Sequence, residues 1–246
     1  MDMSVFFEIH TGLHRESPGG DEYTRQAWER LSVPANPTIL DLGCGPGAHT
    51  LLLAHLSDGT ITAIDTHQPY VDRLNAAASA AGLGDRITAL NQSMDDLAVP
   101  DESVDVIWSE GAVYNIGFEN GLTTWRSLLK PTGYLVVSEI AWLQSDPPDP
   151  VKDFWAEGYP GMNSVEDLSV IIDRGGYNLL HQFTLPESGW WNYYGPVEAK
   201  VQELRSRYAD NPDAIAALDA EQQEIDLYRN YSDWYGYVFF VLQRKC

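Results

Sequence analysis

The stretch Thr38 to Thr50, T-I-L-D-L-G-C-G-P-G-A-H-T, constrains this chain more than any other. The apolar run Ile39-Leu40, with Leu42 just after it, predicts a buried strand. Gly43, Gly45 and Gly47 follow at alternate positions, and the apolar run Leu51-Leu52-Leu53-Ala54 predicts a helix. Strand, glycine turn and helix form the opening unit of a nucleotide-binding α/β sheet. Glycine suits such a turn because the turn is tight and a ligand must come close to the backbone.

Two details bear on the ligand. The segment from Gly43 to Ala48 also fits the loose dinucleotide pattern G-x-G-x-x-G/A, which is weak evidence alone. Asp41, just before the glycines, offers a carboxylate that can engage a ligand's ammonium through water or the loop, whereas a pyrophosphate gains nothing from it. Pro46 removes a backbone donor from the loop, which suits a phosphate cradle less well. Both favour S-adenosylmethionine. The segment D-L-G-C-G-P-G resembles the first motif, D-x-G-x-G-x-G, of the class I S-adenosylmethionine-dependent methyltransferases. Thr60 to Ile64 predicts the second strand, and Asp65 ends it roughly 20 residues past the glycines, where a carboxylate can accept both ribose hydroxyls. Asp65 as an N-cap of the next helix is compatible with that role.

The rest of the chain repeats the alternation. Helices are expected over Asp21–Leu31, Ala48–Leu56, Tyr70–Ala81, Leu122–Leu129 and Ser164–Gly175, and over about 197–208 and 212–229. Further strands are expected over Arg86–Leu90, Asp105–Trp108, Tyr134–Ser138, Tyr177–Leu185 and Tyr235–Arg244. The fold class is a doubly wound α/β sheet of seven strands with helices on both faces, in one domain over 1–246. The resemblance implies a mostly parallel sheet whose last strand runs antiparallel between strands five and six. It also implies that residues 1–20 form an N-terminal arm or a lid over the cofactor. Relative to a minimal methyltransferase, 141–160 and 186–233 are insertions on the acceptor side, rich in aromatics that serve either as pocket walls or as packing.

The resemblance assigns further residues. The loop Ser93-Met94-Asp95 would flank the adenine, with Ser93 standing where many relatives carry Asp and Met94 packing on the ring. The fourth strand delivers Ser109 to the cofactor and Glu110 beside the reacting methyl, at the strand end where open α/β sheets bind ligands. Glu110 could deprotonate the acceptor or only orient it; a structural hydrogen bonder is the competing reading. Tyr114 and Asn115 are candidates for hydrogen bonds to the acceptor. The segments W-S-E-G-A-V-Y-N-I-G-F, D-F-W-A-E-G-Y-P and Y-G-Y-V-F-F resemble a bacterial group called ubiquinone/menaquinone-methyltransferase-like, a name that does not establish a quinone acceptor.

Composition narrows the partners. With 15 Lys and Arg against 36 Asp and Glu, the formal charge of −21 repels nucleic acid and anionic membranes, which points to a small-molecule acceptor. A homodimer is compatible with the sequence. Cys44 reads as a packing residue and Cys246 as an exposed one, with no disulfide framework. His10 and His14 would share a helix face, but a metal site needs more ligands, so no metal is expected. The N-terminus lacks the pattern of a signal peptide and no stretch is apolar enough to span a bilayer, so the cytoplasm is the expected location. Transfer from a sulfonium is an in-line displacement that needs positioning, not a nucleophile triad. The alternatives are a non-catalytic S-adenosylmethionine-binding protein and, with less support, a nicotinamide-dependent oxidoreductase.

Overall fold

The structure, a computed structural model, describes residues 3–245; Cys246 lies outside the described residues. The strands are β1 (Thr38–Leu42), β2 (Thr60–Asp65), β3 (Ile87–Asn91), β4 (Val104–Ser109), β5 (Leu129–Trp142), β6 (Tyr177–Thr184) and β7 (Tyr235–Arg244). They form one sheet in the order β3-β2-β1-β4-β5-β7-β6. β1 pairs in parallel with β2 on one side and β4 on the other, so strand order reverses between β1 and β4. That reversal opens a crevice at the carboxyl ends of these two strands. β7 runs antiparallel to both β5 and β6, as the sequence resemblance implied.

Side chains alternate across the sheet and feed two cores. Ile39, Ile61, Val106, Val136 and Phe239 join one core, and Leu40, Ile64, Ile107, Leu135 and Phe240 the other. The first core is covered by α1 (Met3–His10), α2 (Asp21–Trp28), α3 (Ala48–Leu56), α4 (Gln68–Ala80), α8 (Glu187–Arg207) and α9 (Pro212–Tyr231). The second is covered by α5 (Phe118–Trp125) and α7 (Val165–Arg174). Ser164 caps α7, its hydroxyl accepting from the Asp167 amide at 3.1 Å, as its spacing to Asp167 predicts. α6 (Asp149–Gly158) follows β5. No helix among the described residues is long and apolar enough to cross a membrane.

Three elements differ most from the sequence expectation. α5 begins four residues early, at Phe118, and ends at Trp125; a 3-10 turn over Arg126–Leu128 leads into β5 at Leu129. The Lys130–Gly133 stretch, between the expected helix and strand, is a break in the β4–β5 register within the longer β5. In the second insertion, helix starts at Glu187, not near 197, so the whole aromatic stretch Gly189–Gly195 is helical. Glycine and Pro196 hide this locally, since proline forfeits an intrahelical bond. Trp190, Tyr194, Val197, Val201 and Leu204 lie on one buried stripe at helical spacing, and that burial outweighs the propensity.

Candidate active site

The glycine turn is tied to the neighbouring strand before any ligand is considered. Gly43 and Cys44 amides donate to the Ile64 carbonyl at 2.9 and 3.0 Å. The Gly45 amide donates to Asp65 Oδ2 at 2.9 Å, and the His67 amide to Oδ1 at 2.8 Å. Asp65 is thereby locked in orientation, with lone pairs left on both oxygens. Two of the glycines answer to packing. Gly43 has φ +75° and a Cβ there would lie 2.2 Å from Ala112 Cβ; Gly47 has φ +96° and its Cβ would lie 2.3 Å from Leu74 Cδ1.

Above the turn lies a cleft of about 340 Å³. Of the residues singled out from sequence, Gly43, Gly45, Asp65, Ser93, Met94, Asp95, Glu110, Tyr114 and Asn115 line it. Ser93 donates to the Asp95 carboxylate, and the Met94 carbonyl accepts from Trp125 Nε1 at 2.8 Å, which fixes that loop. Cys44 also lines the cleft, and burial with Asp41 and Asp65 nearby keeps its thiol protonated.

Three expected residues are not in the cleft lining. Asp41 is fully buried: it shares a sheet face with Ile39, under α3, and accepts from the Thr50 hydroxyl at 2.5 Å with His49 Nε2 at 3.0 Å. Ser109 is also fully buried, its hydroxyl donating to the Leu42 carbonyl at 2.9 Å and stitching β4 to β1. Gly47 sits one residue behind the cleft, against Leu74.

Arg15 and His49 line the cleft and were not singled out as site residues from sequence. Arg15, the one Lys or Arg among the first 24 residues, is buried beside Gly19, and its Nη2 has no hydrogen-bond partner. That lone basic residue was the available signal. Glu110 is 2% exposed. Its Oε1 accepts from the Thr24 hydroxyl at 2.6 Å and Trp108 Nε1 at 2.8 Å, while Oε2 has no partner. Burial would lower the His49 pKa, but the Asp41 carboxylate, with Glu110 behind it, raises it. His49 also carried no signal beyond its place at the start of the helix.

A second cavity of about 590 Å³ adjoins the cleft. Glu16, Ser17, Thr66, Tyr70, Tyr114 and Asn115 line both. Its other walls come from Trp155 on α6, Trp190, Tyr193 and Tyr194 on α8, Tyr237 on β7, and Glu221 and Glu224 on α9, with Phe6, Phe7 and His10 from α1. Glu110 is absent from this lining. Trp190 stacks on Tyr228 with centroids 4.0 Å apart. Trp191 lies outside the cavity lining, donating to Glu187 at 2.9 Å under the Arg229 guanidinium. His10 Nδ1 is 2.8 Å from Glu16 and its Nε2 is 3.7 Å from Glu221. Burial would lower its pKa, but these two carboxylates raise it to about 9, so His10 is an imidazolium at neutral pH. Tyr159, facing Tyr114 edge-on at 6.1 Å, donates to buried Glu139 at 2.6 Å. Burial raises Glu139 to about 7, against that hydrogen bond.

Comparison with known proteins fits this geometry. Residues 39–133, from β1 to the start of β5, match the methyltransferase domain family. Over those residues the chain carries a methyltransferase domain, which holds the glycine turn, Asp65 and Glu110. A solved methyltransferase of this kind from Geobacter sulfurreducens, in complex with S-adenosylhomocysteine, superposes with a TM-score of 0.84 at 20% identity, covering 98% of each chain. The chain is 28% identical over 172 residues to a ribosomal protein arginine N-methyltransferase of Schizosaccharomyces pombe, covering 66% of this chain and 32% of that one. It is 26% identical over 163 residues to an O-methyltransferase of Penicillium expansum, covering 65% and 59%. The chain therefore spans from about a third to three-fifths of the length of those curated relatives.

Proposed function

We propose that this protein transfers a methyl group from S-adenosylmethionine to a small organic acceptor. The observation that carries the reading is the pair of buried, unpartnered atoms in the cleft, Arg15 Nη2 and Glu110 Oε2. A guanidinium and a carboxylate in one cleft complement an α-amino acid, the first taking its carboxylate and the second its ammonium. Asp65, in the same cleft, complements the vicinal hydroxyls of a ribose. A nucleoside joined to an amino acid satisfies both ends. A dinucleotide would bring its pyrophosphate toward these carboxylates with one guanidinium to receive it.

When bound, the cofactor supplies a methyl group already activated on a sulfonium. The protein's part is binding, orientation and exclusion of water. Met94 would pack on the base, with Ser93 and Asp95 beside it. Glu110 is read as the ammonium partner and not as a general base to the acceptor, because it lines the cleft and not the cavity. Tyr114 and Asn115, which line both, are read as contacts to the acceptor where the two spaces join.

The acceptor is assigned to the aromatic cavity, which makes the insertions 141–160 and 186–233 acceptor-side elements and α1 a lid over it. The cavity favours an enzyme over a cofactor sensor, since a sensor needs no second chamber. The Schizosaccharomyces pombe relative is named for a protein acceptor and the Penicillium expansum relative for O-methylation, so the acceptor has to be read from this chain's own cavity. The charge of −21 supports a small molecule over nucleic acid, and a cytoplasmic location, alone or as a homodimer, completes the reading.

Incubation with methyl-labelled S-adenosylmethionine and a fractionated small-metabolite extract tests it. Label should appear in a small molecule and disappear with Asp65→Ala. Label confined to protein or nucleic acid would contradict it.

A further inference from the structure

We infer that the acceptor is a small organic amine, held as a cation against Glu221 and Glu224 in the aromatic cavity; this rests on the methyltransferase reading above. The cavity carries three carboxylates, Glu16, Glu221 and Glu224, against the His10 imidazolium. Among the described residues no Lys or Arg lines it, and the His10 imidazolium is already held between two carboxylates, so the lining as a whole favours a cation over a carboxylate or phosphate. His10 is shared between Glu16 and Glu221. Glu224 lines the same cavity, and its hydrogen-bond partner is the Tyr194 hydroxyl at 2.8 Å, not a cation. A carboxylate taken out of water with no counter-charge is costly, and a bound cation removes that cost. The rings of Trp190, Tyr193, Tyr194 and Tyr237 supply π faces around the same space, which favour a cation further.

A second observation is independent of the carboxylates. Trp190 Nε1 is a donor on a residue 1% exposed that lines the cavity, and it has no hydrogen-bond partner. Buried donors require a lone pair. The ligand therefore carries an oxygen as well as the basic nitrogen, as an amino alcohol does.

The chemistry balances without another reactant. The bound ammonium passes one proton to the Glu224 carboxylate, freeing the nitrogen lone pair. That pair forms the bond to the methyl carbon as the carbon–sulfur bond breaks, with its electrons left on sulfur. The positive charge moves from sulfur to nitrogen, and the methylated nitrogen remains a cation that can lose a further proton to solvent.

Calorimetric titration into the full chain distinguishes the alternatives. The probes are choline, its neutral isostere 3,3-dimethylbutan-1-ol and the anion 3,3-dimethylbutanoate, each with and without S-adenosylhomocysteine. Choline should bind at least tenfold more tightly than either, and Glu221→Gln with Glu224→Gln should erase that preference. Retained S-adenosylhomocysteine affinity shows that the variant is folded, since a glutamine oxygen can still accept from Tyr194. Equal or tighter binding of the isostere or the anion, or no binding of choline, overturns the inference. Failure to bind S-adenosylhomocysteine, with the choline preference intact, would instead overturn the methyltransferase reading alone. In the labelled-methyl assay, label in amino alcohols supports the inference, and label confined to phenols, acids or polypeptide overturns it.

Discussion

In the cleft the polar groups sit on the ends and turns of a sheet, with Asp65 closing β2 and Glu110 following β4. In the adjoining cavity they sit on helices, with His10 on α1, Trp155 on α6, Trp190 on α8 and Glu224 on α9. Strand ends are fixed by pairing on both sides, as Asp65 is by the Gly45 and His67 amides. The helices of the cavity are joined by side-chain contacts such as Tyr194 to Glu224 and His10 to Glu221. The first arrangement suits a ligand that never changes. The second can be re-cut by substitution without disturbing the sheet, which suits an acceptor that differs between relatives.

Substitutions should separate the two regions. Asp65→Ala carries the largest expected effect. Hydrogen bonds to a charged group contribute about 1.5–3 kcal/mol, or roughly 10- to 150-fold in affinity for each ribose bond lost. S-adenosylhomocysteine and 5′-methylthioadenosine should both weaken, while choline affinity stays unchanged; a matching loss of choline affinity would mean that the regions are not separable. Glu110→Gln comes next. It should weaken S-adenosylhomocysteine about tenfold and leave 5′-methylthioadenosine, which lacks the amino-acid end, unaffected.

His10→Gln probes the attachment of α1 to the cavity. The folded pKa of about 9 exceeds the ordinary value of 6.5, so protonated His10 stabilises fully below pH 6.5 and the contribution is lost as pH rises through about 9. The variant should melt several degrees lower at pH 6 and converge with the parent above pH 9, which thermal scans across pH would read. Ser164→Ala is the smallest change and touches neither region. It removes the α7 cap and should lower stability by about 1 kcal/mol, with ligand affinities intact.

The contrast also explains what could be read from sequence. The glycine turn and Asp65 are legible because strand, turn and acid are nearly contiguous, and their roles follow from backbone geometry. For Asp41, strand position alone does not say which face a carboxylate takes; β1 alternation puts it under α3 with Ile39. Glu110 was placed correctly at a strand end. Arg15, which shares the cleft with it, was not legible beside it because it arrives from an arm remote in the chain. Glu221 and Glu224 were invisible among 36 acidic residues. Nothing local marks them until α9 packs beside α8, and the helical spacing of Trp190 and Tyr194 was itself masked by the flanking glycines and Pro196.

The central claim is that the cleft reads a nucleoside and an amino acid together. Calorimetry of the unmodified chain with S-adenosylhomocysteine, 5′-methylthioadenosine and NAD measures this most directly. S-adenosylhomocysteine should bind at least tenfold more tightly than 5′-methylthioadenosine, and NAD should give no heat of binding. Equal affinity for S-adenosylhomocysteine and 5′-methylthioadenosine, or binding of NAD without S-adenosylhomocysteine, would contradict the account.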